Sequence, residues 1–144
     1  MQTAVPSQPI SIGRLSARTG CKVETIRYYE KIGLIEAPAR SAGGYRQYES
    51  GHVDRIAFIR RCRELGFSLA RIEALLTMAG DSANHTRAEV KQLVNQHRED
   101  IACKIKDLQE LSGALQEIGE HCDGALASAS DCPILDALSR RDSG

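Results

Sequence analysis

The feature that most constrains the fold is a long stretch without proline, from Thr86 to Gly119. Glu, Lys, Gln, Leu and Ala dominate this stretch, and these residues favour helix. The stretch fits a heptad repeat whose a and d positions form a largely apolar seam. These positions are Val90, Val94, His97, Ile101, Lys104, Leu108, Leu111, Leu115 and Ile118, and only His97 and Lys104 among them are polar. Such a seam is stable only against another helix. The stretch therefore predicts one long helix that pairs with its copy in a dimer.

Two short helices are predicted near the start of the chain. SIGRLSARTG has Ser11 as an N-cap and Gly20 as a stop, and CKVETIRYYEKIGLI continues with helical spacing of its apolar residues to Gly33. A tight turn joins the two helices, and the second is rich in Arg and Tyr. This pattern is typical of a helix-turn-helix.

The next segment contains turn signals followed by two more helices. PARSAGGYRQY carries the pair Gly43 and Gly44 between short extended pieces, which indicates a small hairpin or wing. Ser50 is the expected N-cap of a third helix and Ser68 that of a fourth. The predicted fold class is therefore predominantly α-helical with a small β wing.

The net charge is zero, but the basic and acidic residues are unevenly distributed along the chain. Residues 1–71 hold twelve Lys or Arg against six Asp or Glu, and the remainder holds seven against thirteen. A basic front half favours a polyanion partner, because neutralisation of phosphates drives binding independent of sequence.

Other features exclude several classes of protein. No apolar run is long enough to span a membrane, and the N-terminus lacks the pattern of a secretory signal. We therefore expect a cytoplasmic protein with no membrane partner. No phosphate-binding glycine loop or acid and base pair frames a catalytic site, so we do not expect an enzyme.

The cysteines point to a site after the long helix. Cys122 falls on the next a position of the seam, and Cys132 follows after the small and acidic loop DGALASASD. Two thiolates joined by such a loop form a clamp suited to a soft metal ion, although the spacing alone also fits two unrelated cysteines. Cys62 is expected in the core, and Cys103 on the outer face of the long helix.

Three motifs carry a resemblance to a known family. The runs VETIRYYEKIGLI, GGYRQY and LGFSLARIEALL, in this order and spacing, resemble the MerR family of bacterial transcription regulators. The resemblance implies a winged helix-turn-helix, a helical pair, and a long helix that forms an antiparallel coiled coil in a homodimer. The domains implied are a tail (1–9), the DNA-binding domain with its helical pair (10–80), the dimerisation helix (86–120), the metal loop with a short helix (121–138) and a second tail (139–144).

Residues for DNA contact are expected on the second helix and the wing. In the recognition helix, side chains that approach the major groove or flanking phosphates are Glu24, Thr25, Arg27 and Tyr28. The resemblance adds phosphate contacts from the wing, by Arg40, Tyr45, Arg46 and Tyr48. Arg18 and Arg60 are candidates for flanking contacts.

The resemblance also implies a metal site. In metal-sensing relatives, two cysteines after the dimer helix bind the ion, as Cys122 and Cys132 would here, and regulators of divalent ions place a third cysteine at the start of that helix. This chain reads GDSANHTRAEV there, without cysteine. Two thiolates alone favour Cu(I), Ag(I) or Au(I), whereas addition of His85 or His121 would suit Zn²⁺, Cd²⁺, Pb²⁺ or Hg²⁺ in a site that spans both subunits.

The mechanism implied by the family is activation by DNA distortion. The dimer binds a promoter whose elements are too far apart for RNA polymerase, and metal binding shifts the dimer so that the DNA is kinked and undertwisted. Promoter DNA, RNA polymerase and a second copy of the chain are thus the expected partners.

Overall fold

The computed structural model describes residues 8–140, so most of the two predicted tails lies outside the described residues. Six α-helices and one two-stranded sheet follow in the order α1 (Ile12–Thr19), α2 (Val23–Lys31), β1 (Ala39–Arg40), β2 (Arg46–Gln47), α3 (Ser50–Glu64), α4 (Leu69–Gly80), α5 (Arg87–Glu120) and α6 (Pro133–Ser139), with a 3₁₀ turn at Ala129–Asp131. The predicted fold class is confirmed. Two compact units meet in sequence between Val90 and Lys91.

The turn between α1 and α2 is set by its caps. The Ser11 side chain accepts a hydrogen bond from the backbone N–H of Arg14 at 3.3 Å, as an N-cap does. Gly20 ends α1 in the left-handed conformation, with φ of 67°, which a residue with a Cβ adopts at a cost. The Arg60 guanidinium of α3 donates to the Thr19 carbonyl at this end of the helix. These contacts fix the angle at which α2 leaves α1.

The core of the first unit lies between α1, α2 and α3, with α4 packed on α3. Its fully buried aliphatic side chains are Leu15, Ile26, Ile35, Ile56, Ile59 and Ile72. Cys62 is also buried, as predicted. Burial of each such side chain contributes roughly 1.5–3 kcal/mol, so this small core fixes α2 against α1 and α3.

The wing is an antiparallel hairpin in which Ala39 pairs with Gln47, and Arg40 with Arg46. Gly44 has φ of 80° in the turn, and its N–H donates to the Ser41 carbonyl at 2.9 Å. A further bridge joins Ile10 and Tyr48. The base of the wing is therefore tied to the residue that precedes the Ser11 cap.

The start of α3 differs from the prediction. Ser50 is the first residue of the helix, and the N-cap is Glu49, which forms a capping box with His52. The His52 Nδ1 accepts the N–H of Glu49 at 3.0 Å. The prediction favoured serine by cap preference and overlooked the reciprocal pair. The predicted cap of α4 is confirmed, since Ser68 accepts from the N–H of Arg71.

The long helix α5 continues through Gly113 without a break. Val90, Val94, Ile101, Leu108, Leu111 and Leu115 of the seam are exposed, and His97 is buried. Cys103 is exposed, as predicted. Within residues 8–140, none of the helices is both long and apolar enough to cross a membrane.

Candidate nucleic-acid interface and metal centre

The outward face of α2 carries the predicted recognition residues. Ile26 and Tyr29 bury the inner face of this helix. Glu24, Arg27 and Tyr28 are exposed, and Thr25 is half-buried. A short helix that is anchored on one side and presents charged and aromatic groups on the other can enter the major groove.

A single carboxylate joins the wing to this helix. Glu30, near the end of α2, lies with one oxygen 3.4 Å from the Nε of Arg46. The hydroxyl of Tyr48 donates to its other oxygen at 3.0 Å. Arg46 belongs to β2 and Tyr48 follows it directly, so these two contacts hold the wing against α2.

Three arginines line a cleft between α1, α2 and the wing. The cleft has a volume of about 200 Å³ and is lined by Ser11, Ile12, Arg27, Arg40, Gly44, Tyr45 and Arg46. The Arg40 guanidinium donates to the Gly44 carbonyl at 2.9 Å, and the Tyr45 ring is 78% exposed at the rim. Guanidinium groups beside the first turn of a helix favour binding of a phosphate.

Arg18 and Arg60, predicted as flanking contacts, lie together in a second cleft. This cleft of about 300 Å³ lies where α1 meets α3 and also includes Arg61 and Glu64. Arg18 and Arg60 are exposed. The guanidinium of Arg60 is partly engaged by the Thr19 carbonyl, so Arg18 is the freer of the two to reach a phosphate.

The thiols of the two predicted metal-binding cysteines interact. Cys122 follows the end of α5, and Cys132 is the N-cap of α6, with Pro133 as the first helical residue. The N–H groups of Leu135 and Ile134, followed by the thiol of Cys122, lower the pKa of the Cys132 thiol. Both side chains are half-buried. The loop therefore brings the Cys122 thiol within interaction distance of Cys132 and favours the thiolate form of Cys132.

The predicted histidines are engaged elsewhere in the chain. The Nδ1 of His121 lies 2.5 Å from the carbonyl oxygen of Glu117, one turn back on α5. The Nδ1 of His85 lies 3.5 Å from the Glu89 carboxylate. Over the part of the chain that the structure describes, no group of three or more His, Cys, Asp or Glu side chains is arranged to hold a metal ion. Within one chain, neither His85 nor His121 is therefore positioned with the two thiols as a metal ligand.

Comparison with known proteins decides the family. Residues 10–79 match the profile of the MerR HTH family regulatory proteins, and residues 53–118 match the MerR DNA-binding profile. The transcriptional regulator ZntR of Escherichia coli K12 is 38% identical over 133 residues, which cover 92% of this chain and 94% of that protein. The chain belongs to the MerR family.

Two further relatives are associated with a metal ion. The mercuric resistance operon regulatory protein of Bacillus cereus is 38% identical, over 90% of this chain and 97% of that protein. The crystal structure of the regulator PbrR691 from Ralstonia metallidurans CH34, in complex with lead(II), is 36% identical. It superposes with a TM-score of 0.81 and covers 90% of this chain and 99% of that one. The family resemblance seen in the sequence motifs is thus confirmed, and these relatives are transcription regulators.

One predicted contact is wrong for this MerR protein. Tyr48 was expected to reach a phosphate, but its side chain is fully buried and its hydroxyl is bound to Glu30. Sequence reasoning missed Glu30 as the link between helix and wing. An acidic residue at the end of the predicted recognition helix was the available signal, because a carboxylate there would repel phosphate unless a nearby cation neutralised it.

The buried tyrosine predicts a pH dependence of stability. Burial, followed by the hydrogen bond to Glu30 and its charge, raises the pKa of Tyr48 from 10.0 to about 12. Because the folded state retains this proton more tightly than the unfolded state, the stabilisation is fully present below pH 10 and is lost as pH rises through about 12. Relative to Tyr48→Phe, the parent should lose about 1 kcal/mol of unfolding free energy between pH 9 and 11 in urea titrations. Parallel curves for the two proteins would contradict this assignment.

Proposed function

We propose that this MerR protein is a metal-responsive regulator that activates transcription when Cys122 and Cys132 hold a monovalent soft ion, Cu(I), Ag(I) or Au(I). The observation that carries the proposal is the interaction between the two thiols at the end of α5 and the start of α6, in which the pKa of Cys132 is lowered. Thiolates are the ligands that a soft d¹⁰ ion prefers, and two of them suffice for it. Each thiolate would donate an electron pair to the ion, so a bound ion would join the end of α5 to the start of α6.

The choice of a monovalent ion follows from the donor set. Zn²⁺ in proteins takes about four ligands from sulfur, nitrogen and oxygen. The thiol pair offers two sulfurs, and Nδ1 of His121 is directed to a backbone carbonyl of its own helix. A two-coordinate ion therefore fits these residues with less rearrangement than a tetrahedral one.

A divalent ion, Zn²⁺, Cd²⁺, Pb²⁺ or Hg²⁺, is the second candidate. The lead(II) complex and the mercuric resistance regulator among the relatives favour it. In this case His121, and His85 from a second copy, would complete a Cys and His site that spans both subunits. The Nδ1 of His85 would have to leave Glu89, or its other nitrogen would have to serve as the ligand.

Competition for metal separates the two candidates. Purified protein is titrated with Cu(I) and with Zn²⁺ in the presence of chelators of known affinity. We expect the protein to bind one Cu(I) per thiol pair and to retain it in the presence of the chelator. We expect it to bind Zn²⁺ only weakly. Tight Zn²⁺ binding that is lost in His121→Ala would replace the two-thiolate site with the mixed one.

We propose that the DNA-binding unit acts on promoter DNA as half of a homodimer. The exposed face of α2 would enter the major groove, while the cleft of Arg27, Arg40 and Arg46 would receive backbone phosphate. A long helix joins each DNA-binding unit to the metal loop. Through it, metal binding would make the two DNA-binding units bend and undertwist the promoter until RNA polymerase can engage the promoter elements. DNA binding and metal binding are then linked through one two-state element.

Replacement of Arg27 tests the head separately from the sensor. Arg27→Ala should weaken promoter binding about tenfold or more at a fixed salt concentration, because a guanidinium to phosphate or base contact is lost. Its metal stoichiometry should equal that of the parent, since the thiols lie in the other unit. Gel shifts at several salt concentrations and a metal titration supply both readouts, with Arg14→Ala on exposed α1 as a control. Loss of metal binding in Arg27→Ala would contradict the division of roles.

A further inference from the structure

We propose that Arg60 is a positioning residue for the recognition of DNA sequence. Its guanidinium binds the Thr19 carbonyl and thereby fixes the turn that precedes α2, so that it sets how α2 meets the bases and does not itself hold a phosphate. This inference rests on the DNA-binding role proposed above and goes beyond it, because it separates recognition of sequence from attraction to the DNA backbone. It assigns Arg60 a role different from the flanking phosphate contact predicted from the sequence.

The end of α1 presents a backbone acceptor to α3. Thr19 is the last residue of α1, and carbonyl groups in the last turn of a helix lack partners within that helix. The Thr19 hydroxyl is engaged locally, since it donates to the Leu15 carbonyl at 2.7 Å and accepts the N–H of Cys21 at 3.2 Å. The Thr19 carbonyl accepts from the guanidinium of Arg60, which lies 41 residues later on α3. The turn is therefore tied both to its own helix and to α3.

Gly20 leaves the space that the guanidinium occupies. A Cβ built on Gly20 would lie 2.5 Å from Nη1 of Arg60, a distance at which one of the two groups would have to move. The positive charge is also favourable at this place, because the carbonyl end of a helix carries a partial negative charge. Burial raises the pKa of the Cys21 thiol and the charge of Arg60 opposes this effect, which is consistent with a guanidinium beside the turn.

The direction of α2 depends on this turn. Lys22, the N-cap of α2, makes no side-chain hydrogen bond to the start of the helix, so a local cap does not fix its first turn. Only Gly20, Cys21 and Lys22 separate α1 from α2. Hydrogen bonds to base edges require an exact helix position, whereas attraction to phosphates tolerates displacement. Loss of the Arg60 contact should therefore reduce sequence specificity more than overall affinity for DNA.

Binding to two duplexes tests this separation. The parent first selects an operator from a random-sequence library, and binding to that operator is compared with binding to a random duplex of equal length. Arg60→Ala should weaken operator binding about tenfold and leave binding to the random duplex nearly unchanged. The slope of log affinity against log salt concentration should equal that of the parent, because no phosphate contact is lost.

Two arginine variants provide the comparison. Arg18→Ala removes a candidate phosphate contact and should weaken binding to both duplexes equally, with a salt slope smaller by about one. Arg61→Ala removes the same charge one residue along α3, where the guanidinium pairs with Glu64 of the same helix, and should leave specificity unchanged. If Arg60→Ala behaves like Arg18→Ala, Arg60 is a phosphate contact and the proposal is wrong.

Gly20→Ala tests the contact from its other side. The added Cβ displaces the guanidinium but retains its charge, so this variant should also lose specificity without a change in salt slope. The double variant Gly20→Ala with Arg60→Ala should bind the operator no more weakly than Gly20→Ala alone, because both changes break one contact. Circular dichroism establishes that each variant is folded. Unchanged specificity in folded Gly20→Ala, or additive losses in the double variant, would overturn the proposal. A parent that selects no sequence would refute the DNA-binding role itself, and the assignment of Arg60 with it.

Discussion

Replacement of either Cys122 or Cys132 by serine should reduce metal-dependent transcription to the uninduced level. Each substitution removes one of two thiolates and leaves a hydroxyl, a hard and weakly acidic group that a soft ion binds poorly. Promoter binding should persist, because the recognition helix and wing lie in the other unit. Reporter induction by Cu(I), Ag(I), Zn²⁺, Cd²⁺, Pb²⁺ and Hg²⁺, together with gel shifts, measures both effects.

Three control variants make this result specific. Cys103→Ser removes an exposed thiol on α5 and should leave induction unchanged. His85→Ala and His121→Ala should leave the response to Cu(I) nearly intact, because linear coordination needs neither ring. A parent that responds only to a divalent ion, with loss of that response in a histidine variant, would refute the two-thiolate site.

Ile101→Glu should dissociate the dimer. The isoleucine is part of the exposed seam of α5, and a carboxylate at this position would be buried against apolar side chains in each of two symmetric layers. A cost of several kcal/mol for each unpaired buried charge predicts a dissociation constant raised by a factor of about 1,000 or more. Sedimentation at low micromolar concentration should show a 15.7 kDa species in place of twice that mass.

Ala102→Glu is the matched control for the dimer. It adds the same charge one residue along, on the outer face of α5, where the side chain is exposed. This variant should remain dimeric and bind promoter DNA as the parent does. Dissociation of both variants would show that added negative charge, not burial in the seam, is responsible. A dimeric Ile101→Glu would place the interface elsewhere.

Much of the fold follows from local signals in the sequence. Ser11, Gly20 and Ser68 act as caps through contacts with their near neighbours, so they could be recognised from the chain alone. The seam of α5 and the wing turn likewise depend on short-range spacing. The error at Ser50 arose because serine is a preferred N-cap, whereas the adjacent Glu49 takes this position through its reciprocal pair with His52.

The candidate site was predictable to a smaller extent. Cys122 and Cys132 could be named from their position after the seam, but the interaction between their thiols depends on how the loop folds. The outward face of α2 could be read from helical spacing. The burial of Tyr48 could not be predicted, because it results from a hydrogen-bond acceptor 18 residues earlier in the chain and from a bridge to Ile10. Contacts across such distances leave no periodic trace in the sequence.

The double attachment of the wing to Glu30 has a consequence for how binding specificity can change. Arg46 and Tyr48 both end on this one carboxylate, on the inner side of α2. The outer residues Glu24 and Arg27 take no part in the attachment. Substitutions at those two outer positions can therefore alter base preference while the scaffold remains intact. A library randomised at these positions should yield folded regulators with new operator preferences, whereas one randomised at Glu30 should yield unstable heads.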